Sequence, residues 1–290
     1  MKKITKAVIP AAGLGTRMLP QAKAVCKEML PIVDKPSIQY LIEEAVAAGI
    51  TDILVITNRD KDCIEDYFDY SPEYEKKLMD GGKDKVAEEL RAIADMANVY
   101  FLRQKQTKGL GHAVARTKSF VGDEPFLVLY GDDVIDAPTS TSLEMIKLYE
   151  KYRLPVVGVQ NVSREDVKRY CTLDAKSIGE RIYKVTDMVE KPREEQIITT
   201  LSILGRVILT PEVFDILENI KPGAGGEIQL TDAMAIMARK DSMIAYEFEG
   251  TRHDMGSKLG FLKANVSLGV KSPELGEDFK SWLKEFVKTL

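Results

Sequence analysis

The chain is predicted to be an α/β protein with a mixed, mostly parallel sheet flanked by helices, and three observations carry the prediction. Apolar runs of strand length recur between helical patterns through the first 160 residues. Two of those runs enclose one readable crossover unit, a strand, a helix and a second strand. Beyond Asn161 the pattern changes to polar–apolar alternation, which brings antiparallel pairing into the sheet.

The first runs are Ala7-Val8-Ile9, Ile53-Leu54-Val55-Ile56, Val99-Tyr100-Phe101-Leu102, Phe126-Leu127-Val128-Leu129 and Val156-Val157-Gly158-Val159. Uninterrupted apolar strands suit a sheet covered on both faces. Between the first two, Pro36 opens a helix whose Ile38, Leu41, Ile42, Ala45 and Val46 share one face, with Gly49 as its stop. Residues 73–97, rich in Glu, Lys, Ala and Leu, read as exposed helix interrupted at Gly81-Gly82. Arg181 to Val189 alternates, and Leu201 to Leu209 is a further strand. Thr231 or Asp232 is placed to cap a helix from Ala233 to Arg239, and residues 256–290 read as helical. No internal repeat is visible.

Composition narrows the function classes. Of 290 residues, 44% are hydrophobic and 30% charged, the usage of an ordinary globular protein with a sizeable core. Length alone allows one large domain or two smaller ones. No apolar run reaches bilayer length, and Met1-Lys2-Lys3-Ile4 leads into too short an apolar stretch for a secretory leader, so a cytoplasmic protein without membrane partners is expected. Cys26, Cys63 and Cys171 lack CxxC spacing, which indicates neither a disulfide framework nor a zinc site. The net charge of -4 argues against nucleic acid as a partner. Residues 1–35 nevertheless carry an excess of five positive charges, among them Arg17 and Lys27, which suits a small polyanion.

The first strand ends at Pro10 and gives way to Ala11-Ala12-Gly13-Leu14-Gly15-Thr16-Arg17. Ligands of open α/β sheets bind at the carboxyl ends of strands, where glycines let backbone N–H groups approach phosphates. A dinucleotide fingerprint would need glycine where Met18 stands, and no Walker A sequence occurs. Alone, the loop is a generic phosphate cradle; Arg17 and Lys27 turn it toward a triphosphate, which needs fixed cations. Asp132-Asp133 follows the strongest apolar run and so lies at the same sheet edge, with one carboxylate facing a ligand and the other free to cap a turn. Carboxylates there suit magnesium, and Asp254 in Arg252-His253-Asp254-Met255-Gly256 is a possible second ligand or an ordinary loop Asp. Lys191 precedes Pro192, which favours extended backbone that aims a long side chain or simply ends a strand. Gln104, Gly109 and Gly111 after the third strand offer an amide and close-approach glycines for a base edge, or a plain helix entry.

Five ordered segments, Lys6 to Pro20, Lys27 to Pro36, Lys108 to Val114, Glu190-Lys191-Pro192 and Gly223 to Ala233, resemble the bacterial UTP:glucose-1-phosphate uridylyltransferases. The resemblance spans nearly the whole chain. It implies a single Rossmann-like domain of the nucleotide-diphospho-sugar transferase type over 1–290, with a nucleotide half at 1–160, a sugar half at 161–255 and C-terminal helices at 256–290. It implies that Ala12, Gly13, Gln104 and Gly109 contact uracil, that Gly15, Arg17 and Lys27 surround the phosphates, and that Asp133 and Asp254 hold Mg2+. Glu190 would bind glucose hydroxyls and Lys191 the phosphate shared by both products. UTP, glucose 1-phosphate, UDP-glucose and pyrophosphate are the implied ligands, and a homodimer or homotetramer the implied assembly, with the helical segment from Glu274 as a possible contact.

The chain departs from that family's pattern at four places: Cys26 for Pro, Cys171 for Gly beside the sugar, Thr200 for Asn and Ser257 for Asn. Three of these surround the sugar, so another hexose 1-phosphate stays open. Cys26 and Cys171 read best as small packing residues. A thymidylyltransferase and a noncatalytic UDP-sugar-binding regulator are the rival readings.

Overall fold

In a computed structural model that describes residues 2–290, strands β1 (Lys6–Pro10), β2 (Pro31–Ile32), β3 (Lys35–Pro36), β4 (Asp52–Thr57), β5 (Asn98–Arg103) and β6 (Phe126–Leu129) come first along the chain. They are followed by β7 (Asp133–Asp136), β8 (Val156–Asn161), β9 (Cys171–Gly179), β10 (Ile182–Glu190), β11 (Leu201–Leu209), β12 (Met243–Glu247) and β13 (Thr251–Asp254). Nine of them form one sheet in the order β5-β4-β1-β6-β11-β8-β12-β10-β9. The stretch β5-β4-β1-β6 is parallel, as is β8-β12, and β11 enters antiparallel between β6 and β8. The sheet is thus mixed and mostly parallel, and antiparallel pairing enters after Asn161 as expected.

Central strands are the apolar runs. All four residues of β6 and all nine of β11 are buried, because helices cover both faces. Pro36 immediately precedes the helix Ser37–Ala47, and Gly49 turns the chain away at φ 88°. Its Ile38, Leu41 and Ile42 are fully buried, each contributing roughly 1.5–3 kcal/mol. Residues 73–97 form two helices, Pro72–Asp80 and Asp84–Ala94, separated at Gly81-Gly82. The C-terminal region holds Lys258–Gly269 and Gly276–Val287. No helix among the described residues is long and apolar enough to cross a membrane.

One cap differs from expectation. The helix expected from Ala233 begins at Leu230, and neither Thr231 nor Asp232 caps it; Gln229 stands at the N-cap without a side-chain cap bond. Leu230 is 1% exposed and Thr231 is buried, so packing draws the first turn inward past the local capping signal.

This architecture aligns four loops. Since β5, β4, β1 and β6 run parallel, Gln104, Asn58, the glycine loop and Gly131-Asp132 all emerge at one sheet edge. The small ladder β7–β13 sits beside it and pairs Asp133 directly with Asp254.

Candidate functional site

The glycine loop is anchored at its base and open at its tip. Ala11 N–H donates to the Ile56 carbonyl at 2.8 Å, and the Asn58 side-chain amide donates to the Ala12 carbonyl at 3.0 Å. Buried Lys61 donates to the Ala11 carbonyl and to Glu28 Oε2, the latter at 2.6 Å. Gly13 is exposed with open space around its Cα, and Gly15 adopts φ 66°. In the 3-10 turn Thr16–Met18, Met18 is 3% exposed; anchoring it presents Arg17 outward, 65% exposed.

Opposite the loop stand the carboxylates. Lys27 Nζ lies 2.5 Å from Asp132 Oδ2, and Arg17 spans two acids, 3.7 Å from Asp132 and 3.6 Å from Asp254. Burial opposes ionisation of Asp132, but Lys27, then Arg252 and Arg17, hold its carboxyl below the usual range. A side-chain carbon placed on Gly256 would meet Asp132 Oδ2 at 2.6 Å and Asp254 Oδ1 at 3.0 Å, so both carboxylates converge beside one backbone position.

Asp133 is placed differently from the expected metal ligand. Its side chain is 3% exposed, and Oδ1 accepts from Arg252 Nε at 2.7 Å and from a terminal guanidinium nitrogen at 2.5 Å. Arg252 and Asp254 are two apart on β13 and Asp254 is directly opposite Asp133, so all three share a face and Arg252 reaches Asp133 diagonally. Arg252 also donates to Tyr170 Oη at 2.7 Å. Burial pushes the Asp133 carboxyl up to about 6 despite Arg252 beside it.

At the other end of the edge, Gln104 is 6% exposed and its N–H donates to Thr57. Its side-chain amide lies 2.8 Å from His112 Nδ1. Gly109 has φ 103°, and a Cβ there would meet the Ile228 carbonyl at 2.7 Å, so packing against the 227–229 segment already requires glycine.

Lys191 departs from the extended geometry expected before proline and has φ 44°. Glu190 is paired with Cys171 on the β9–β10 ladder, and Lys191 N–H donates to the Tyr170 carbonyl at 2.7 Å, which demands a tight reversal there. Its exposed side chain lines a cavity of about 750 Å³ together with Arg17, Asp132, Asp133, Arg252 and Asp254. Glu190 lines a separate cavity of about 520 Å³ with Asp232 and Arg239, and burial raises its carboxyl. Cys171 offers a ligand no side chain: it is 2% exposed, and its sulfur accepts from the Ile203 N–H at 3.3 Å. Burial pushes that thiol up to about 12, in keeping with a packing role. Ser257 caps the helix Lys258–Gly269, and Thr200 donates to Asn161.

The structure therefore gathers Arg17, Lys27, Lys191 and Asp254 with Asp132, sets Ala12, Gly13 and Gln104 along neighbouring strand ends, and leaves Cys171 inside. Arg252 and Lys61 were missed in the sequence. Arg252 could have been found from its spacing of two before Asp254 on a strand; Lys61, in a polar loop, carries no such signal.

A mixed sheet with a glycine loop and converging acids at its carboxyl edge defines a nucleotide-handling transferase, and residues 6–269 match the nucleotidyl transferase family, to which the chain belongs. It is similar to the UTP--glucose-1-phosphate uridylyltransferases of Staphylococcus epidermidis, 48% identical over 98% of this chain and 99% of that one, and of Bacillus subtilis strain 168, 48% over 98% and 97%. Among solved structures it is similar to a UDP-glucose pyrophosphorylase complexed with UDP-glucose, with TM-score 0.84 and 41% identity over 93% of this chain and 100% of that one. A UTP-bound UGPase from Acinetobacter baumannii superposes with TM-score 0.90 at 38% identity, over 97% and 99%.

Proposed function

We propose that the chain transfers the uridylyl group of UTP to glucose 1-phosphate, giving UDP-glucose and pyrophosphate. The observation that carries this reading is the convergence of Arg17, Lys27, Asp132, Lys191 and Asp254 at one sheet edge, in a chain 48% identical to named uridylyltransferases along nearly its whole length. The 750 Å³ cavity falls within the roughly 300–1,000 Å³ of small-ligand sites.

The chemistry needs positioning more than proton transfer. A sugar phosphate oxygen is ionised near neutral pH, so it forms its bond to the α-phosphorus of UTP without a general base. The bond from that phosphorus to the bridging oxygen breaks, and pyrophosphate leaves with the electron pair. Ala12, Gly13 and Gln104 are assigned to the uracil, with Gly109 shaping that end. Gly15, Arg17 and Lys27 serve the phosphates; Arg17 makes only long contacts to its acids and swings to an incoming triphosphate at little cost. Lys191 steadies the phosphate common to both products, and Glu190 remains the candidate for glucose hydroxyls.

A divalent metal, taken here as magnesium, fits a hard-oxygen pair, and Asp132 with Asp254 fits it better than Asp133 does. Their oxygens converge beside Gly256 with a cationic guanidinium spanning them, whereas Asp133 is committed to Arg252. When bound, the ion would neutralise phosphate charge.

Segments 1–160 and 161–255 share one sheet, which supports a single unit over 1–290. Trp282, 55% exposed and stacked on Phe279 and Phe286, is the candidate contact for a homodimer or homotetramer, testable by sedimentation of a Trp282→Glu variant. The activity is tested by offering the purified protein magnesium, each nucleoside triphosphate and several hexose 1-phosphates while following pyrophosphate release. Turnover confined to UTP and glucose 1-phosphate is expected; preference for dTTP or another sugar, or UDP-glucose binding without turnover, overturns the reading.

A further inference from the structure

Cys26 and Cys63 bring their sulfurs to 3.1 Å. A disulfide has S–S near 2.05 Å, so closure requires an approach of about 1 Å. Cys26 is half-buried and Cys63 exposed. The two segments they would join are those that hold the base of the glycine loop. Cys26 directly precedes Lys27, whose ammonium stands against Asp132, and Cys63 lies in the first turn of the helix Asp62–Tyr67. Two residues before it, Lys61 is buried against Ala11 and Glu28. A polar cavity of about 170 Å³, lined by Gly13, Lys23, Cys26, Lys27, Asn58 and Lys61, gives a small solute access to Cys26.

We propose that Cys26 and Cys63 form a reversible oxidation site that closes to a disulfide with a hydroperoxide as oxidant, and that closure slows nucleotidyl transfer by drawing Lys27 from its place against Asp132. The first half stands on the sulfur geometry alone; the second rests on the uridylyl-transfer reading. Cys63, the exposed thiol, attacks the peroxide as thiolate, its sulfur bonding to one oxygen while the O–O bond breaks, to give a sulfenic acid and hydroxide. Cys26 then attacks the sulfenic sulfur; the S–S bond forms, the S–O bond breaks, and the Cys26 proton leaves with the hydroxyl as water. Overall two thiols lose two electrons and two protons, and one hydrogen peroxide becomes two waters. Burial, followed by the neighbouring Cys63, pushes the Cys26 thiol up to about 12, which suits the second, resolving role better than first attack. Cys171, 2% exposed, lies outside this chemistry.

The reduced full-length chain is treated with hydrogen peroxide, blocked with an alkylating agent, digested and examined by mass spectrometry, with uridylyl transfer assayed before, after and again after dithiothreitol. The expected results are a Cys26–Cys63 linked peptide pair two hydrogens lighter than the thiols, and a rate lowered about fivefold that dithiothreitol restores. Cys63→Ser should match the parent when reduced and keep its rate under peroxide. Absence of the linked pair, or Cys63 carried only to sulfinic acid, overturns the site; a linked pair with an unchanged rate, or an equal loss in Cys63→Ser, overturns control of transfer. A reduced protein inactive from the outset would instead count against the uridylyl-transfer reading, while the linked peptide would still decide the oxidation site.

Discussion

The ammonium of Lys27 stands 2.5 Å from Asp132 Oδ2, while the adjacent Asp133 gives its Oδ1 to Arg252 at 2.5 and 2.7 Å. Neighbouring carboxylates thus have separate partners, and their loss should look different. Asp132→Asn is expected to lower turnover roughly 10²–10³-fold and raise the metal concentration needed, since it removes charge facing the phosphates. Asp133→Asn leaves the Arg252 guanidinium, 13% exposed, without its carboxylate and should cost about 3–5 kcal/mol of stability. Denaturant titration beside metal-dependent assays separates the two. If Asp133→Asn shifted the metal requirement while keeping parental stability, the ligand role would return to Asp133.

Gly256→Ala should fold yet fail. The added methyl would press on Arg17, Asp132 and Asp254, but at the ends of their side chains, which can move aside. Melting temperature should therefore change little, while turnover drops at least tenfold as the two carboxylates are driven apart, on the order expected when a catalytic group is misplaced by an ångström. Parental activity in this variant would disconnect the convergence beside Gly256 from catalysis.

Lys191 is exposed and lines the cavity, so Lys191→Ala removes charge without removing core. Turnover should fall on the order of 10²-fold with an unchanged unfolding midpoint. Near-normal steady-state rates would eliminate it from the mechanism.

Gln104 and His112 link base recognition to pH. The amide can donate to His112 Nδ1, 2.8 Å away, only while that nitrogen is unprotonated. Burial, then Lys108 and Arg116, holds His112 below its ordinary 6.5. A depressed histidine binds its proton less readily folded than unfolded, so its stability contribution is full above 6.5 and is lost as pH falls through the lowered folded value. Over that same acid range the ring turns a donor toward the amide and Gln104 must rotate. KM for UTP should rise several-fold there relative to His112→Asn, which cannot titrate. Parallel KM profiles for the two proteins from about pH 7 to about 5 would detach Gln104 from this switch.

The strands β1, β4, β6 and β8 were legible because buried strands read as largely unbroken apolar runs, whereas the edge strand β5, none of whose residues is buried, shows only the short run Val99 to Leu102, and β11 is apolar apart from Ser202, Gly205 and Arg206. The position of β11 between β6 and β8 was not, since pairing Leu127 with Ile208 leaves no local trace. In the site, Arg17 and Lys27 drew notice as cations beside the glycine loop, and Asp254 did so chiefly through the family resemblance. The choice between Asp132 and Asp133 was not, because it depends on which of them Arg252 reaches across the β7–β13 ladder. Lys61 and Cys63 meet partners 33 and 37 residues away, Glu28 and Cys26, with no periodicity joining them. The tight reversal at Lys191 defied its proline because a ladder end outweighs a local dihedral preference.

The placing of β11 also bears on how the chain is made. A ribosome delivers β6 and β8 well before Leu201–Leu209, and until that strand arrives the sides of both that face it offer unpaired backbone beside largely apolar residues. The nascent chain then already carries the glycine loop and Asp132, yet remains open to association with other unfinished chains. Residues that never touch a substrate therefore close the edge beside which the site is built.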